Sequence, residues 1–393
     1  MSSTDSVTEV TWNPFNAPKD PYPTYELMRE HAPVYHNPEV DVWAFSRFDD
    51  VQAANRDWET YSYAKGTILD GIGDFLQPGN FLDHDPPLHS QLRAVVKDKF
   101  SVSALRERLA EPVAADVDAL LDGISNPKDF DFGIECAWIL PVLAGSHLMG
   151  FGAEDIQRLR TISDEAFSVP PGAPGSEEAS AAQVATAAIR AYFEEAIEDR
   201  RRHPKDDMLT HIANATVDGQ PIGESAAGVA ALIFAGSADT TALTMTNMIA
   251  LLAEHPEQRE WLVKNPDKTE QAVEEVLRYE SPIQLMKRHT SRDVEIGGRV
   301  IPEGANVCLI FASANRDHRK FERPDEFDVT RKFSRHIAFG DGVHHCIGAP
   351  LARMEVTTML RKFLERFPEY EIGESFKIAG TLRGFRNLQV ITK

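Results

Sequence analysis

The sequence predicts a mainly α fold with a minor β region, and three observations carry that reading. From about Ser103 to Glu280 the pattern is helical, broken only at SNPKD near 125–129 and at VPPGAPGSEE, 169–178. Residues 283–330 then turn to β character. A last amphipathic helix covers about Ala349–Phe367. The helix-rich parts are therefore placed at about 86–280 and 347–368, and the β-rich parts at about 35–60 and 283–330.

Taken in order, residues 1–20 are polar and rich in Pro and Asn, and are expected to wrap the surface. Tyr22–His31 reads as a short helix. VWAFSRF, Val42–Phe48, alternates in the manner of a strand, and Asp49–Asn55 follows as a helix with an acidic start. The segment Ser225–Ala253 carries one formal charge, Asp239. It is long enough to span a membrane on apolarity alone. Its Ala, Gly, Ser, Thr and Asn content and its polar flanks favour instead a central helix buried on all sides. A lone carboxylate there is costly to bury, which makes Asp239 a functional candidate beside the plainer reading of a paired or capping acid. VEIGGRVI predicts a hairpin around Gly297-Gly298, with VCLIF as the next strand.

Composition narrows the function. The chain has 393 residues, with 41 Lys+Arg against 61 Asp+Glu and a net charge of −20. That balance argues against nucleic acid or an anionic membrane as partner, since both would repel it. At 42% hydrophobic and 26% charged residues the chain is not of a disordered or collagen-like class. Cys136, Cys308 and Cys346 are too few and too widely spaced for a disulfide framework. MSSTDSVTEV has neither a basic nor an apolar signal region, so the cytoplasm is the expected compartment.

The strongest motif is HIAFGDGVHHCIGAPLARMEV, His336–Val356. Cys346 stands just before a helix, where free N–H groups and the helix dipole favour a thiolate. Gly340, Gly342 and Gly348 permit a tight loop with amides aimed at the sulfur, and Phe339 would shield it from water. This is what a thiolate metal ligand requires. The chain resembles the cytochrome P450 family, the haem-thiolate monooxygenases of soluble bacterial type. FGDGVHHCIG matches its haem-binding loop, and Glu275-Val276-Leu277-Arg278 its E-x-x-R helix. Asp239-Thr240 matches its acid–alcohol pair, and ANRDHRKFERPDEFDVTR, ending at Arg331, its meander. The motifs run in family order from about residue 13 to the C-terminus.

The resemblance implies a single domain over 1–393, with haem b between the central helix and the cysteine-loop helix. It implies Cys346 as the iron ligand, and His89, Arg93, Arg288 and His344 as donors to the haem carboxylates, joined by Phe339 and Gly348 in the cysteine loop. A zinc-like cluster of His84, His89, His344 and His345 is disfavoured by spacing. Glu275, Arg278 and Arg331 are implied to be a structural ion network. Asp239 and Thr240 are implied to deliver protons, although Ser237 stands where the family has Gly. Its hydroxyl is expected to bond the carbonyl four residues earlier. The implied pocket draws on Tyr61–Phe81, the loop near 167–176, Ala231, Phe234, Ala235 and Pro282–Leu285. Its apolar members are Ile68, Leu69, Phe75, Leu76, Phe167, Val169, Phe234, Ile283 and Leu285. Lys65, the one cation among them, is read as solvated. Such a pocket suits a small, mainly apolar and aromatic substrate.

The implied activity is hydroxylation or O-dealkylation using dioxygen and two electrons from a ferredoxin or a flavin-containing reductase. The donor is expected at two net-basic segments, 331–362 and 89–108, of a monomer. Two alternatives are a peroxide-driven peroxygenase, against which Asp239-Thr240 argues, and a non-enzymatic haem sensor, for which no fused signalling domain is visible.

Overall fold

The computed structural model describes residues 10–16, 18–69, 79–168, 177–332 and 335–393. Phe75, Leu76, Val169 and the Pro170–Gly175 cluster therefore lie outside the described residues, as does the side chain of Phe167. Helices dominate: α1 Tyr22–His31, α2 Phe48–Arg56, α3 Leu88–Lys97, α4 Val102–Asp122, α5 Leu140–Met149, α6 Ala153–Ser168, α7 Glu177–Arg202 and α8 Met208–Ala213. They continue with α9 Ser225–Glu254, α10 Pro256–Lys264, α11 Thr269–Tyr279, the one-turn α12 Phe311–Ala314 and α13 Ala349–Arg366.

The organising element is α9. Its 30 residues are apolar enough to cross a membrane, yet most of that stretch is buried inside the protein. Helices α4, α5, α7, α8, α11 and α13 pack around it or around one another in a single apolar core. Small residues make this burial workable. Phe234 of α9 and Gly145 of α5 meet so closely that a Cβ on Gly145 would stand 3.5 Å from the Phe234 ring and 3.3 Å from Ser237 Oγ.

The β part lies to one side. Strands β1 Val34–Asn37, β2 Val42–Phe45, β3 Tyr61–Ser62, β7 Met286–Thr290 and β10 Asn306–Leu309 form a sheet in the order β1-β2-β10-β7-β3. Only the β2–β10 pair is parallel. The expected hairpin exists as β8 Val294–Ile296 and β9 Arg299–Ile301, turning at Gly297 and Gly298, both at positive φ. A small hairpin, β5 Thr216–Val217 with β6 Gln220–Pro221, precedes α9.

Several boundaries differ from the sequence reading. Strand β2 ends at Phe45, and its four residues are all buried rather than alternating, because each face is covered by an apolar cluster, Trp43 and Phe45 in one and Val42 and Ala44 in the other. Phe48 opens α2 instead. VCLIF stops being a strand at Leu309, and Phe311 begins α12. The sequence reading has no counterpart for the long hairpin β11 Tyr370–Ile378 with β12 Gly384–Thr392, which pairs with β4 Asp129–Asp131. Its burial is irregular and its register shifts twice, so no clean period-2 pattern marks it. It nonetheless matters, because its turn reaches the central cavity.

One ion network ties helices to meander. Glu275 accepts from Arg278 Nε and Nη2 at 2.8 Å each and from Arg331 Nε at 3.0 Å. Arg278 spends its remaining N–H groups on the carbonyls of Asn315, Pro324 and Glu326. Both Glu275 and Arg278 side chains are 2% exposed. Glu275→Ala is expected to cost about 3–5 kcal/mol, because it strands two guanidinium groups. Removing the exposed Glu30 partner of Arg319 should cost under about 1 kcal/mol. Denaturant unfolding of both variants checks the contrast.

Candidate active site

A cavity of about 450 Å³ lies between α9 and the N-terminal end of α13. One wall is α9 between Leu232 and Thr244; the facing wall is the cysteine loop and the first turns of α13. The loop is held by backbone geometry that glycine makes available. Gly340 and Gly342 have φ +69° and +70°, and a Cβ on Gly342 would stand 2.8 Å from the Asn55 carbonyl oxygen. The Cys346 N–H donates to the Phe339 carbonyl at 2.9 Å. The Phe339 ring in turn sits 4.5 Å from the Arg353 guanidinium, which is clamped to Glu274 at 2.6 and 2.9 Å.

The Cys346 side chain faces this cavity. The sulfur is open to the cavity, yet its depth within the protein raises the thiol pKa, opposed by the Gly348 and Ala349 amides and by the Arg93 and Arg353 charges. The dipoles expected from the sequence are thus present, yet in the polypeptide alone burial outweighs them. Cys136 and Cys308 are buried elsewhere, and burial pushes both thiols up to about 12. Among the described residues no three His, Cys, Asp or Glu side chains are placed to hold a metal ion together.

The predicted carboxylate donors do converge. Arg93, Arg288 and His344 line the cavity. His89 stands behind His344, ring centroids 3.9 Å apart, and Tyr63 stacks on the other face of His344 at 3.5 Å. Arg93 Nη2 donates to the His345 carbonyl at 2.6 Å. Arg288 Nη2 donates to Tyr63 Oη at 2.8 Å and Asn55 Oδ1 at 2.9 Å. His89 Nε2, His344 Nε2 and Arg288 Nε are buried with no partner among the described residues. Desolvation, reinforced by neighbouring cations, lowers His89 to about 4 and His344 to about 2. Unpartnered donors and cations at one end, with a sulfur at the centre, fit a flat apolar group bearing carboxylates, as haem b does. The sequence reading has Tyr63 only as part of the pocket segment Tyr61–Phe81 and does not have Asn55; nothing in their local pattern marks them as partners of Arg288, because strand pairing and α2 bring them in.

On the opposite wall, Asp239 Oδ1 accepts the Thr240 N–H at 2.8 Å. Burial pushes the Asp239 pKa up to about 6, against the pull of its backbone hydrogen bonds. Thr240 Oγ1 donates to the Gly236 carbonyl at 3.2 Å. Ser237 Oγ donates to the Phe234 carbonyl, three residues earlier, at 2.8 Å, not to the fourth-residue carbonyl expected. A hydroxyl that does bond the carbonyl four residues before it is that of Thr240, to Gly236.

The apolar lining needs more correction. Ile68, Phe81, Ala235, Pro282, Ile283 and Leu285 reach the cavity as expected. Phe234 and Ala231 do not; Phe234 is fully buried against Phe193. Leu69 joins a separate cluster with Trp12 and Tyr25. Lys65 is exposed and does not line the cavity. Ile378, Thr381 and Leu382 of the β11–β12 turn were missed, as were Leu232, Ile233 and Leu243 of α9.

Several cations of the two basic segments are already paired within the fold. Of the cations at 331–362, Arg331, Arg335, Arg353 and Lys362 are ion-paired, with Glu275, Asp341, Glu274 and Asp118. Lys97, Lys99, Arg106, Arg108, Lys332 and Arg361 are exposed. Arg106, Lys332 and Arg361 border a cleft between α4, α11 and α13.

With this geometry in view, comparison with known proteins is consistent. The Cytochrome P450 family model matches residues 171–372. The chain is 34% identical over 358 residues to putative cytochrome P450 YjiB of Bacillus subtilis, covering 89% of this chain and 88% of that one. It is 34% identical over 375 residues to cytochrome P450 130 of Mycobacterium tuberculosis, covering 91% and 90%. Among solved structures, CYP109B1 of Bacillus subtilis superposes with a TM-score of 0.83 at 31% identity, covering 97% of this chain and 100% of that one. CYP109E1 of Bacillus megaterium, solved in complex with testosterone, superposes at 0.86 with 28% identity, covering 95% and 98%.

The clamp behind the cysteine loop should be sensitive to acid. Burial would raise the Glu274 carboxyl, but hydrogen bonds and charges from His336 and Arg353 bring it from 4.5 down to about 2. A depressed folded pKa adds stability that is complete above the unfolded value and is lost as pH falls through the folded one. Glu274→Gln is therefore expected to be less stable than the wild type at pH near neutral, by on the order of 2 kcal/mol. That deficit should shrink as pH falls from 4.5 towards about 2. Denaturant midpoints measured against pH check it.

Proposed function

The chain belongs to the cytochrome P450 family, whose members are haem b monooxygenases, and on that premise we propose that it hydroxylates or O-dealkylates a small, mainly apolar, aromatic compound. The observation that carries this is the single cavity shared by Cys346, the Arg93–Arg288–His344 end and Asp239-Thr240. As an enzyme of this family it takes a substrate, dioxygen and electrons from a donor. Bound haem b supplies the iron at which dioxygen is activated.

The roles assigned to the chain's own residues follow from their positions. Cys346 is the thiolate ligand, with the Gly348 and Ala349 amides directed at its sulfur. Arg93, Arg288 and His344 hold the haem carboxylates, and His89 positions His344 by ring contact. Phe339 covers the sulfur and is steadied by Arg353. Asp239, held near pKa 6, is suited to give and regain protons near neutral pH. Thr240 presents a hydroxyl to the cavity from a position fixed by its bond to Gly236. A relay of this kind is unnecessary for a peroxide-driven enzyme, and it favours the dioxygen-using reading.

The substrate reading rests on the lining: Ile68, Phe81, Leu285, Ile283 and Leu382 offer apolar contact, and no cation among the described lining stands apart from the Arg93–Arg288 end and Arg353. Exposure of Lys65 supports a neutral ligand over an aromatic acid. The electron donor is an acidic ferredoxin or flavin protein. It docks where Lys97, Lys99, Arg106, Arg108, Lys332 and Arg361 are exposed in a chain of net charge −20. Burial of α9 in the core counts against reading that helix as a membrane span.

Two experiments test the reading. Cys346→Ser should lose the red-shifted Soret band of the reduced carbon monoxide complex, whereas Cys136→Ser and Cys308→Ser keep it. A band retained in Cys346→Ser would defeat the ligand assignment. Thr240→Ala should bind substrate and consume reductant while product per electron falls several-fold, the remainder going to peroxide or water. Unchanged coupling would place the relay elsewhere.

A further inference from the structure

Behind the apolar wall of the cavity lies an ion pair that belongs to none of the roles above. Pro282, Ile283 and Leu285, in the segment that follows α11, line the cavity, and so do Ile378, Thr381 and Leu382, at the turn of the β11–β12 hairpin. The two segments are zipped to each other. The Arg383 N–H donates to the Pro282 carbonyl and the Gln284 N–H to the Thr381 carbonyl, at 2.8 Å each. Ile283 stands opposite Leu382 in an isolated antiparallel bridge. Hydrogen bonds of this kind contribute only about 1 kcal/mol each, so a ladder this short does not hold its own position.

Glu280 and Arg383 flank that ladder. Neither lines the cavity, and their side chains are 7% and 5% exposed. Arg383 Nε donates to Glu280 Oε1, and Arg383 Nη1 to the Lys19 carbonyl just ahead of α1. Tyr22 Oη donates to the same Glu280 oxygen at 3.3 Å, and Lys377 Nζ of β11 stands 3.8 Å from the other. A buried ion pair gives little net stability over apolar residues of the same volume, but its fork fixes direction.

The pair is also referenced to α9. Asn247 Nδ2 donates to the Glu280 carbonyl at 3.3 Å and to the Arg383 carbonyl at 3.0 Å. Asn247 stands about two helical turns beyond Thr240, hence on the same face of α9 and about 10 Å further along its axis. Gly384 permits the close approach, since a Cβ there would stand 2.7 Å from Leu243 Cδ2. The Phe385 N–H then donates to Thr246 Oγ1 at 3.1 Å. The apolar wall is thereby registered to the helix that carries Asp239-Thr240.

We propose that Glu280 and Arg383 are positioning residues for the substrate: their ion pair, referenced to α9 through Asn247, sets where the Ile283–Leu382 wall stands and so holds an aromatic ligand at one place in the cavity. The inference rests on the monooxygenase reading and adds to it what fixes the substrate-facing wall.

Ligand titration of the haem-loaded protein, followed by the Soret shift, tests this. Imidazole reports on access to the iron, whereas N-phenylimidazole adds an aromatic ring that the cavity must accommodate. The wild type should bind N-phenylimidazole more tightly than imidazole. In Arg383→Met that advantage should fall by about tenfold, as expected when a well-placed aromatic contact is lost, with imidazole binding unchanged. Arg383→Lys still meets Glu280 and should restore most of it. Arg383→Met strands the Glu280 carboxylate, so the charge-free double variant Glu280→Gln/Arg383→Met carries the test where the single one does not fold, with the same loss expected. Amide hydrogen exchange at residues 280–285 and 381–384 should quicken by about tenfold in these variants while α13 keeps its wild-type rates. An affinity ratio unmoved by the substitutions, no advantage for N-phenylimidazole in the wild type, or unchanged exchange in the two segments would each overturn the proposal. The carbon monoxide spectrum of the wild type separates the two readings. A missing red-shifted band defeats haem-thiolate ligation, while a normal band with an unmoved ratio defeats only the positioning role.

Discussion

Two adjacent carboxylates on α11 carry much of the architecture. Glu275 is buried and shared by Arg278 and Arg331, and Arg278 passes the constraint on to three meander carbonyls. Glu274, one residue earlier, faces the other way and grips Arg353 and His336. Arg353 braces Phe339, whose carbonyl receives the Cys346 N–H. The position of the sulfur is thereby set by ion pairs a helix away. Replacing such a network by apolar residues is often neutral for stability in other proteins. Its value here lies in direction: guanidinium forks fix angles that apolar packing leaves loose.

Burial depth separates these charges from the ones on the surface. Glu275 and Arg278 have no solvent to fall back on, so each depends on the other. The exposed cations at Lys97, Lys99, Arg106 and Arg108 have solvent and little else. Charge counting along the sequence treats the two groups alike, which is why the segment 331–362 looks more basic than its surface is. Four of its six cations are consumed by Glu275, Asp341, Glu274 and Asp118.

What the sequence made legible follows the same logic. Local chemistry was readable: the α1 bounds, the Gly297-Gly298 hairpin, the buried character of α9, and the glycine loop before α13 each depend on residues close in the chain. The residues that the family motifs single out meet in space: Cys346, Arg93, Arg288, His344, Asp239 and Thr240 all line one cavity. Contacts made by distant segments were not. Tyr63 and Asn55 reach Arg288 across more than 200 positions. Leu382 reaches the cavity only because β11 and β12 turn there, and their pattern lacks alternation. Phe234 misled in the opposite sense. On a helix buried all round, apolar character cannot tell the cavity face from the core face.

The cavity is electrically lopsided, and this says how the fold and its cofactor depend on each other. Arg93, Arg288 and His344 gather at one end, and burial lowers the pKa of all three. Among the described residues no carboxylate is bonded to Arg288; its bonds go to Tyr63, Asn55 and a carbonyl. A buried cation with only neutral partners is expensive, and His89, His344 and Arg288 each keep an N–H or ring nitrogen unmatched beside it. An anionic group arriving at that end satisfies several such debts in one step, and anything that binds the folded state alone stabilises it by mass action. The acids of the cavity sit elsewhere, with Asp239 on α9 and Glu355 on α13, so neither competes for the cationic end. Placing cations at the rim and weak acids on the walls lets one cavity hold a carboxylate-bearing group tightly at its edge. The same cavity keeps its two acids clear of that edge.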